Sequence, residues 1–317
     1  MYFGNPAYVN TLSEKDYKMQ NHNLKGHAAA FFTVIIWGTT FISTKVLLKT
    51  FTPLEILFIR FIIGYLALWL IAPRKLKLQT KKHELLFLAS GLCGVTLYFL
   101  FENIALTITL ASNVGVIVSI APIFTAVFAH FFLEGERLKS SFFVGFLTAI
   151  LGIFLISYNG SSVLKLNPIG DILAVLAAIV WGGYSVFSKK ISNLGYPTIE
   201  ATRRIFFYGI LSMLPAFLFL PVSNEIDRFA NPIHLLNLLY LGFGASALCF
   251  VTWNLAAKLL GAVKASVYIY IIPVVTVITS VIILKEKITL MAGVGTLLTI
   301  LGLFLSEKKG RSLKTSD

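Results

Sequence analysis

A chain of 317 residues with 57% hydrophobic and 13% charged residues carries about half the charge of a soluble domain, which is roughly 25%. That composition, with a mean hydropathy of +0.83, excludes aqueous globular, disordered, collagen-like and disulfide-stapled classes and marks a polytopic membrane protein. The net charge of +13 does not point to nucleic acid, because the 27 Lys and Arg lie scattered in short connections instead of gathering on one water-facing surface.

Residues 1–26 form a polar tail without an apolar core, so they are not read as a cleaved signal peptide. A helix crossing about 30 Å of hydrocarbon needs about 20 apolar residues. Ten such stretches follow, at 27–48, 53–72, 84–106, 111–133, 140–158, 168–189, 198–220, 232–257, 263–284 and 288–306, and a basic tail occupies 307–317. Cys93 and Cys249 sit inside apolar stretches as small buried hydrophobes. With the N-terminus inside, inner connections and tails hold 18 Lys and Arg and outer ones five, from Lys49, Lys165, Arg228, Lys285 and Lys287. The excess of positive charge inside predicts that both termini are cytoplasmic.

The chain is written twice. At an offset of 144, Trp37–Gly38 matches Trp181–Gly182, Lys45 matches Lys189, Pro53 matches Pro197 and Arg60 matches Arg204. At 151, Asn103 matches Asn254, Ala111 matches Ala262, Pro122 matches Pro273 and Thr125 matches Thr276. At 150, Glu136 matches Glu286, Gly145 matches Gly295 and Gly152 matches Gly302. Each copy holds five spans, an odd number, so the second enters the membrane from the opposite side. The expected fold is therefore an all-α integral membrane protein of two inverted five-helix repeats, residues 27–158 and 168–306. Such a pair alternates access by exchanging the conformations of its halves.

Several of these motifs are similar to those of the EamA-type drug/metabolite transporters. They are the paired Trp-Gly, Tyr98-Phe99-Leu100-Phe101-Glu102-Asn103 running into Ala111-Ser112-Asn113, Ser119-Ile120-Ala121-Pro122-Ile123-Phe124-Thr125, and the acidic ends at Glu136 and Glu286. The resemblance covers residues 25–306. It implies a transporter of small metabolites, commonly an exporter of metabolites or amino acids, with no cofactor.

Ionisable groups inside spans are costly, and each is a functional candidate. Arg60 lies seven residues after Pro53, about 10 Å into its helix, and Arg204 lies equally far past Pro197 at the other face. Glu102 with Arg60 or Lys45 forms one expected gating layer, and Glu200 with Arg204, four apart on one helical face, the other. His130, toward the inner end of its helix, could relay protons, and either it or Glu102 is a candidate proton carrier. Near half depth, Trp37, Trp181, Pro122 and Pro273 point to a central pocket. A proline inside a helix frees the carbonyl four residues back, here Val118 and Ile269. Tyr98, Asn103, Tyr184, Trp253, Asn254, Tyr268 and Tyr270 are further candidates for its lining. Gly145/Gly152 and Gly295/Gly302 make small-residue faces suited to packing or to a homodimer contact. Asn159-Gly160-Ser161 reads as a helix-ending turn.

No metal-ligand cluster, P-loop or Gly-x-Gly-x-x-Gly is present in the sequence, so uphill transport would draw on ion gradients. The expected protein is a secondary-active or facilitative exporter of amino-acid-like compounds in the plasma membrane, contacting lipid and a small-molecule substrate but no nucleic acid. The competing readings are an intramembrane enzyme acting on lipid head groups and a non-transporting subunit or sensor.

Overall fold

The computed structural model describes residues 6–108, 111–136, 139–158, 167–220, 222–223, 225–284 and 290–307. Expectations for Glu286, for Asn159–Ser161 and for the tail beyond 307 fall outside them. The described chain is helical almost throughout. Helix α1 (Pro6–Leu47) is followed by α2 (Pro53–Ile71), by α3 (His83–Gly91) and α4 (Tyr98–Ile108) joined through a π-helical stretch at Leu92–Leu97, and by α5 (Ala111–Val118), α6 (Ala121–Phe132) and α7 (Ser140–Tyr158). The second half has α8 (Pro168–Asn193), α9 (Thr198–Met213), and α10 (Pro232–Leu239) and α11 (Cys249–Leu260) joined through a second π-helical stretch at Tyr240–Leu248. It closes with α12 (Ala262–Ser266), a 3-10 turn Val267–Tyr270, α13 (Ile271–Leu284) and α14 (Leu290–Glu307).

Proline punctuates the helix starts, where its missing N–H costs nothing. Pro53 opens α2 behind Thr52, whose hydroxyl and the Glu55 carboxylate cap each other's backbone. Pro168 and Pro232 open α8 and α10 behind the capping residues Asn167 and Asn231. The polar tail is helical from Pro6 onward, because residues 7–25 contain neither Gly nor Pro to stop a helix.

Among the described residues, Asn21–Leu47, Pro53–Ile71, His83–Ile108, Pro168–Asn193 and Pro232–Leu260 are long and apolar enough to cross a membrane, and shorter apolar helices accompany them. The stretches expected at 111–133, 198–220 and 263–284 are interrupted. The first breaks at Ser119–Ile120, the second ends in a 3-10 turn at Leu214–Leu218, and the third begins with a short helix and the turn at Val267–Tyr270. Pro122 and Pro273 thus stand in the opening turns of α6 and α13, not within a continuous helix, and the expected mid-helix kinks are replaced by breaks.

The helices run between two faces that hydrogen bonds identify. At one face Arg228 meets Glu55 and the Thr50 carbonyl, and Asn167 meets the Ile108 carbonyl. At the other, His27 meets Lys264, Gln79 meets the Leu194 carbonyl, and Glu136 meets Ala262. We call these the Glu55 face and the Glu136 face.

The main packing crosses between the halves of the chain. A Cβ on Gly91 of α3 would stand 2.6 Å from the Gly209 nitrogen of α9, and one on Gly64 of α2 would stand 3.3 Å from the Gly242 carbonyl. The outer pair α7 and α14 repeats the pattern. Leu147, Leu151 and Phe154 turn outward from α7, and Leu297, Leu301 and Phe304 from α14, while small residues face inward. This is the burial expected where lipid replaces water. The Gly145/Gly152 and Gly295/Gly302 faces are packed on each other within one chain, so they are not free for the homodimer contact considered above. A Cβ on Gly152 would lie 2.5 Å from both the Gly295 carbonyl oxygen and the Thr299 nitrogen. Gly152→Ala is therefore expected to destabilise by about 1–3 kcal/mol through overpacking. Thermal unfolding of the detergent-solubilised protein checks this, and an unchanged midpoint would contradict it.

Candidate functional site

A cavity of about 520 Å³, its open mouth included, lies between α1, α2, α4, α5 and α8. It is displaced from the middle of the bundle toward the Glu55 face. Its floor is aromatic. The rings of Trp37 and Trp181 meet edge-on at 5.3 Å, and Tyr98 lies 4.7 Å from Trp181. Behind them Trp253 sits 5.1 Å from Trp37 and Phe250 5.9 Å from it. The Trp37 indole donates to the Ala245 carbonyl at 3.0 Å, within the second π-helical stretch. That carbonyl is reachable because π-helical turns displace the regular backbone ladder. The Trp-Gly sequence explains the placement of the two tryptophans. Gly38 lets α1 approach Val275 of α13, and Gly182 lets α8 approach Phe124 of α6, with Cβ clearances of only 2.6 and 2.9 Å.

Two charged residues line the same cavity. Arg60 is 2% exposed and Glu102 6%, and they form no ion pair with each other. Arg60 donates from Nε to Ser246 Oγ at 2.9 Å, and its guanidinium carbon stands 4.4 Å from the Phe99 ring centre. A flat, weakly hydrated guanidinium tolerates such an aromatic setting better than an ammonium would. Among the described residues, Glu102 Oε2 and Trp181 Nε1 are buried without hydrogen-bond partners. An unmet acceptor and an unmet donor in one cavity are expensive unless a polar ligand or water completes them.

Of the residues expected from sequence, Trp37, Trp181, Tyr98, Arg60 and Glu102 come together here. Others do not. Asn103 follows Glu102 by one residue, about 100° round the helix, and so turns away to donate to the Pro53 carbonyl at 3.3 Å. Tyr184 donates to Asn254 Oδ1 at 2.7 Å, Ser188 donates to the same oxygen at 2.6 Å, and Asn254 donates to Thr202 at 2.9 Å. This buried network joins α8, α9 and α11 nearer the Glu136 face, apart from the cavity. Pro122 and Pro273 are buried beside it, and their neighbours Ala121 and Ile272 form its wall. Tyr270 is fully buried outside the lining, and Tyr268 bonds His27 at 2.6 Å.

The gating expectations are corrected at several positions. Lys45 is exposed and outside the cavity, as its long stem permits. His130 is exposed beside Phe131 and outside the cavity lining. Arg204 pairs with Glu84, not with Glu200, and Tyr208 donates to the same carboxylate at 2.5 Å. The start of α3 packs against α9 and brings Glu84 closer than the residue four positions before Arg204.

Sequence reasoning missed a buried ion pair. Glu55 accepts two bonds from Arg228, at 2.9 and 2.7 Å, and also the Thr52 and Ser223 amides at 2.8 Å each. Both side chains are nearly buried, at 4% and 6%. The Glu55 carboxylate raises the pKa of the Arg228 guanidinium through this hydrogen bonding. The capping sequence Thr52-Pro53-Leu54-Glu55 signals half of the arrangement, but the partner lies 173 residues away. Ser246 and Glu84 likewise carry no local signal.

The profile of the EamA-like transporter family matches residues 24–158 and again 168–307. An uncharacterized transporter of Archaeoglobus fulgidus is 28% identical over 90% of this chain and 99% of its own length. Another from Clostridium kluyveri is 29% identical over 92% of this chain and 96% of its own. A probable amino-acid metabolite efflux pump of Escherichia coli K12 is 26% identical over 89% of this chain and 94% of its own. A solved crystal structure superposes with a TM-score of 0.72 and 22% identity, covering 91% of this chain and 99% of the other, a likeness of fold.

Proposed function

Because the chain belongs to the EamA-like transporter family and is a membrane transporter, we propose that it exports small amino-acid-like metabolites by alternating access, as a secondary-active or facilitative carrier and not as an enzyme. Ten membrane-crossing segments in two inverted repeats, 27–158 and 168–306, would hold both termini in the cytoplasm and the protein in the plasma membrane. The 18-to-five distribution of Lys and Arg supports that orientation. The efflux name of the Escherichia coli relative supports the direction.

The observation that carries the substrate class is the pair of unlike charges on one aromatic-floored cavity, buried and without a direct ion pair between them. Arg60 would take a carboxylate through its free N–H groups. Glu102 would take an ammonium with the oxygen that has no partner in the protein. The floor of Trp37, Trp181 and Tyr98 would cover the apolar remainder. Arg204 with Glu84 would act as a lock at the opposite face.

Release from proteoliposomes loaded with a whole-cell metabolite extract tests the reading, with untargeted mass spectrometry of the outside solution. Selective, protein-dependent appearance of a few zwitterions is the expected result. No protein-dependent release under any imposed pH gradient would overturn the transport reading. Release confined to species lacking either charge would overturn the substrate class.

A further inference from the structure

We infer that the Gly261 hinge, clamped by Glu136 and Lys189, is the gate that shuts the cavity from the Glu136 face. The inference rests on the alternating-access reading above. Gly261 joins α11 to α12 with φ at +93°, a conformation suited to glycine. The two helices it joins are parts of the site. α11 carries Trp253 behind the aromatic floor, and the chain beyond α12 supplies Ile269 and Ile272 to the cavity wall. A bend at Gly261 therefore moves floor and wall relative to each other.

Both helix ends at the hinge are held from outside. Lys189 of α8 donates to the Ala257 carbonyl at 3.1 Å and to the Lys258 carbonyl at 3.2 Å, at the end of α11. Glu136, just past α6, accepts the Ala262 amide at 2.5 Å and the Val263 amide at 2.9 Å, at the start of α12. Each charge matches the sign of the helix end it touches, a cation on carbonyls and an anion on amides. A Cβ at Gly261 would come within 2.7 Å of Glu136 Oε1, so carboxylate and hinge are fitted to each other. A third contact comes from α1. Lys264 donates to His27 Nε2 at 3.2 Å, and His27 and Tyr268 bond at 2.6 Å.

These contacts join α1, α6 and α8 to one hinge, on the side of the floor away from the cavity. Ala262 precedes Ile269 by seven residues, about 10 Å of helix. Opening this face requires the α11–α12 corner to leave α6 and α8, and that breaks the Glu136 and Lys189 bonds together. Glu136 and Lys189 are thus gate-positioning residues that never touch substrate.

The test uses the purified full chain in detergent, with Cys93 and Cys249 changed to alanine and Ser266→Cys as a reporter. Ser266 is fully buried behind the clamp. Its labelling by a hydrophilic maleimide is expected to be at least ten-fold faster with Glu136→Gln or Lys189→Met than with the clamp intact. Rates within two-fold of the parent, in a variant that elutes as one peak on gel filtration, would overturn the gate. Amide exchange of the unmodified protein gives a second readout. The Ala262 and Val263 amides are expected to exchange at least 100-fold slower than free chain, and free-chain rates would overturn the clamp even if neither variant folds. Flux measured on the unmodified protein separates the outcomes. Absent flux contradicts transport itself, whereas normal flux with unaltered labelling contradicts only this gate.

Discussion

Arg60→Ala is expected to reduce protein-dependent flux of a zwitterionic substrate by at least about 100-fold while leaving the protein folded. Among the described residues, the guanidinium is the one cation on the cavity wall. A charge-assisted hydrogen bond to a buried carboxylate is worth about 1.5–3 kcal/mol net, and a bidentate one has two. A loss of about 3 kcal/mol is a factor of about 100. Folding survives because Arg60 has one described hydrogen-bond partner, Ser246, whose hydroxyl can reorient toward a water in the enlarged cavity. Arg60→Lys should restore part of the flux, since the charge returns without the planar fork.

Glu102→Gln is the paired control. It keeps the shape, removes the charge and should weaken binding of the amino acid while sparing its deaminated analogue. Tracer flux in proteoliposomes with both compounds reads these effects. Undiminished zwitterion flux in Arg60→Ala, or equal losses for both compounds in Glu102→Gln, would break the assignment of the two charges.

Arg228→Ala is expected to cost about 3–5 kcal/mol of stability, the usual penalty for removing one partner of a buried pair. Much of that cost is the Glu55 carboxylate left behind. It would keep the Thr52 and Ser223 amides but lose two bonds to a cation. A double change, Glu55→Gln with Arg228→Ala, should be less destabilising than the sum of the single ones, because no uncompensated charge remains. Swapping the charges should not rescue, since an arginine at 55 cannot accept the Thr52 amide that caps α2. Thermal unfolding in detergent of the four proteins completes the cycle. Additive single effects, or an Arg228→Ala midpoint equal to the parent's, would show that the pair is not coupled.

Helical content and most segment limits were legible because length and apolarity are local properties. Thr52–Pro53 and Asn167–Pro168 start helices where the pattern says they should. The tryptophan pair was legible for another reason. Repetition at a fixed offset singled out two residues among many aromatics, and their rings meet on the cavity floor.

What failed was angular and long-range. Asn103 and Glu102 are adjacent in sequence but face different surroundings. Tyr184, three residues past Trp181, carries its hydroxyl down to Asn254, away from the cavity. The prolines were read as kinks because a sequence cannot show that the helix has already ended before Pro122. Glu55–Arg228 and Glu136–Gly261 join residues more than 120 positions apart, where no periodicity reaches.

The glycine contact between α7 and α14 bears on how the protein is made. α7 ends at Tyr158 and its partner ends at Glu307, so the ribosome must add roughly 150 residues between them. At about 5–20 residues per second, the small-residue groove of α7 waits about 8–30 s in the bilayer before its partner arrives. The contact of α3 with α9 imposes a shorter wait of the same kind, and that of α2 with the second π-helical stretch a longer one. Insertion can proceed helix by helix, but assembly is deferred to the end of synthesis. A nascent chain halted near residue 160 would therefore present open glycine grooves to its neighbours, the state in which membrane quality control would be expected to recognise it.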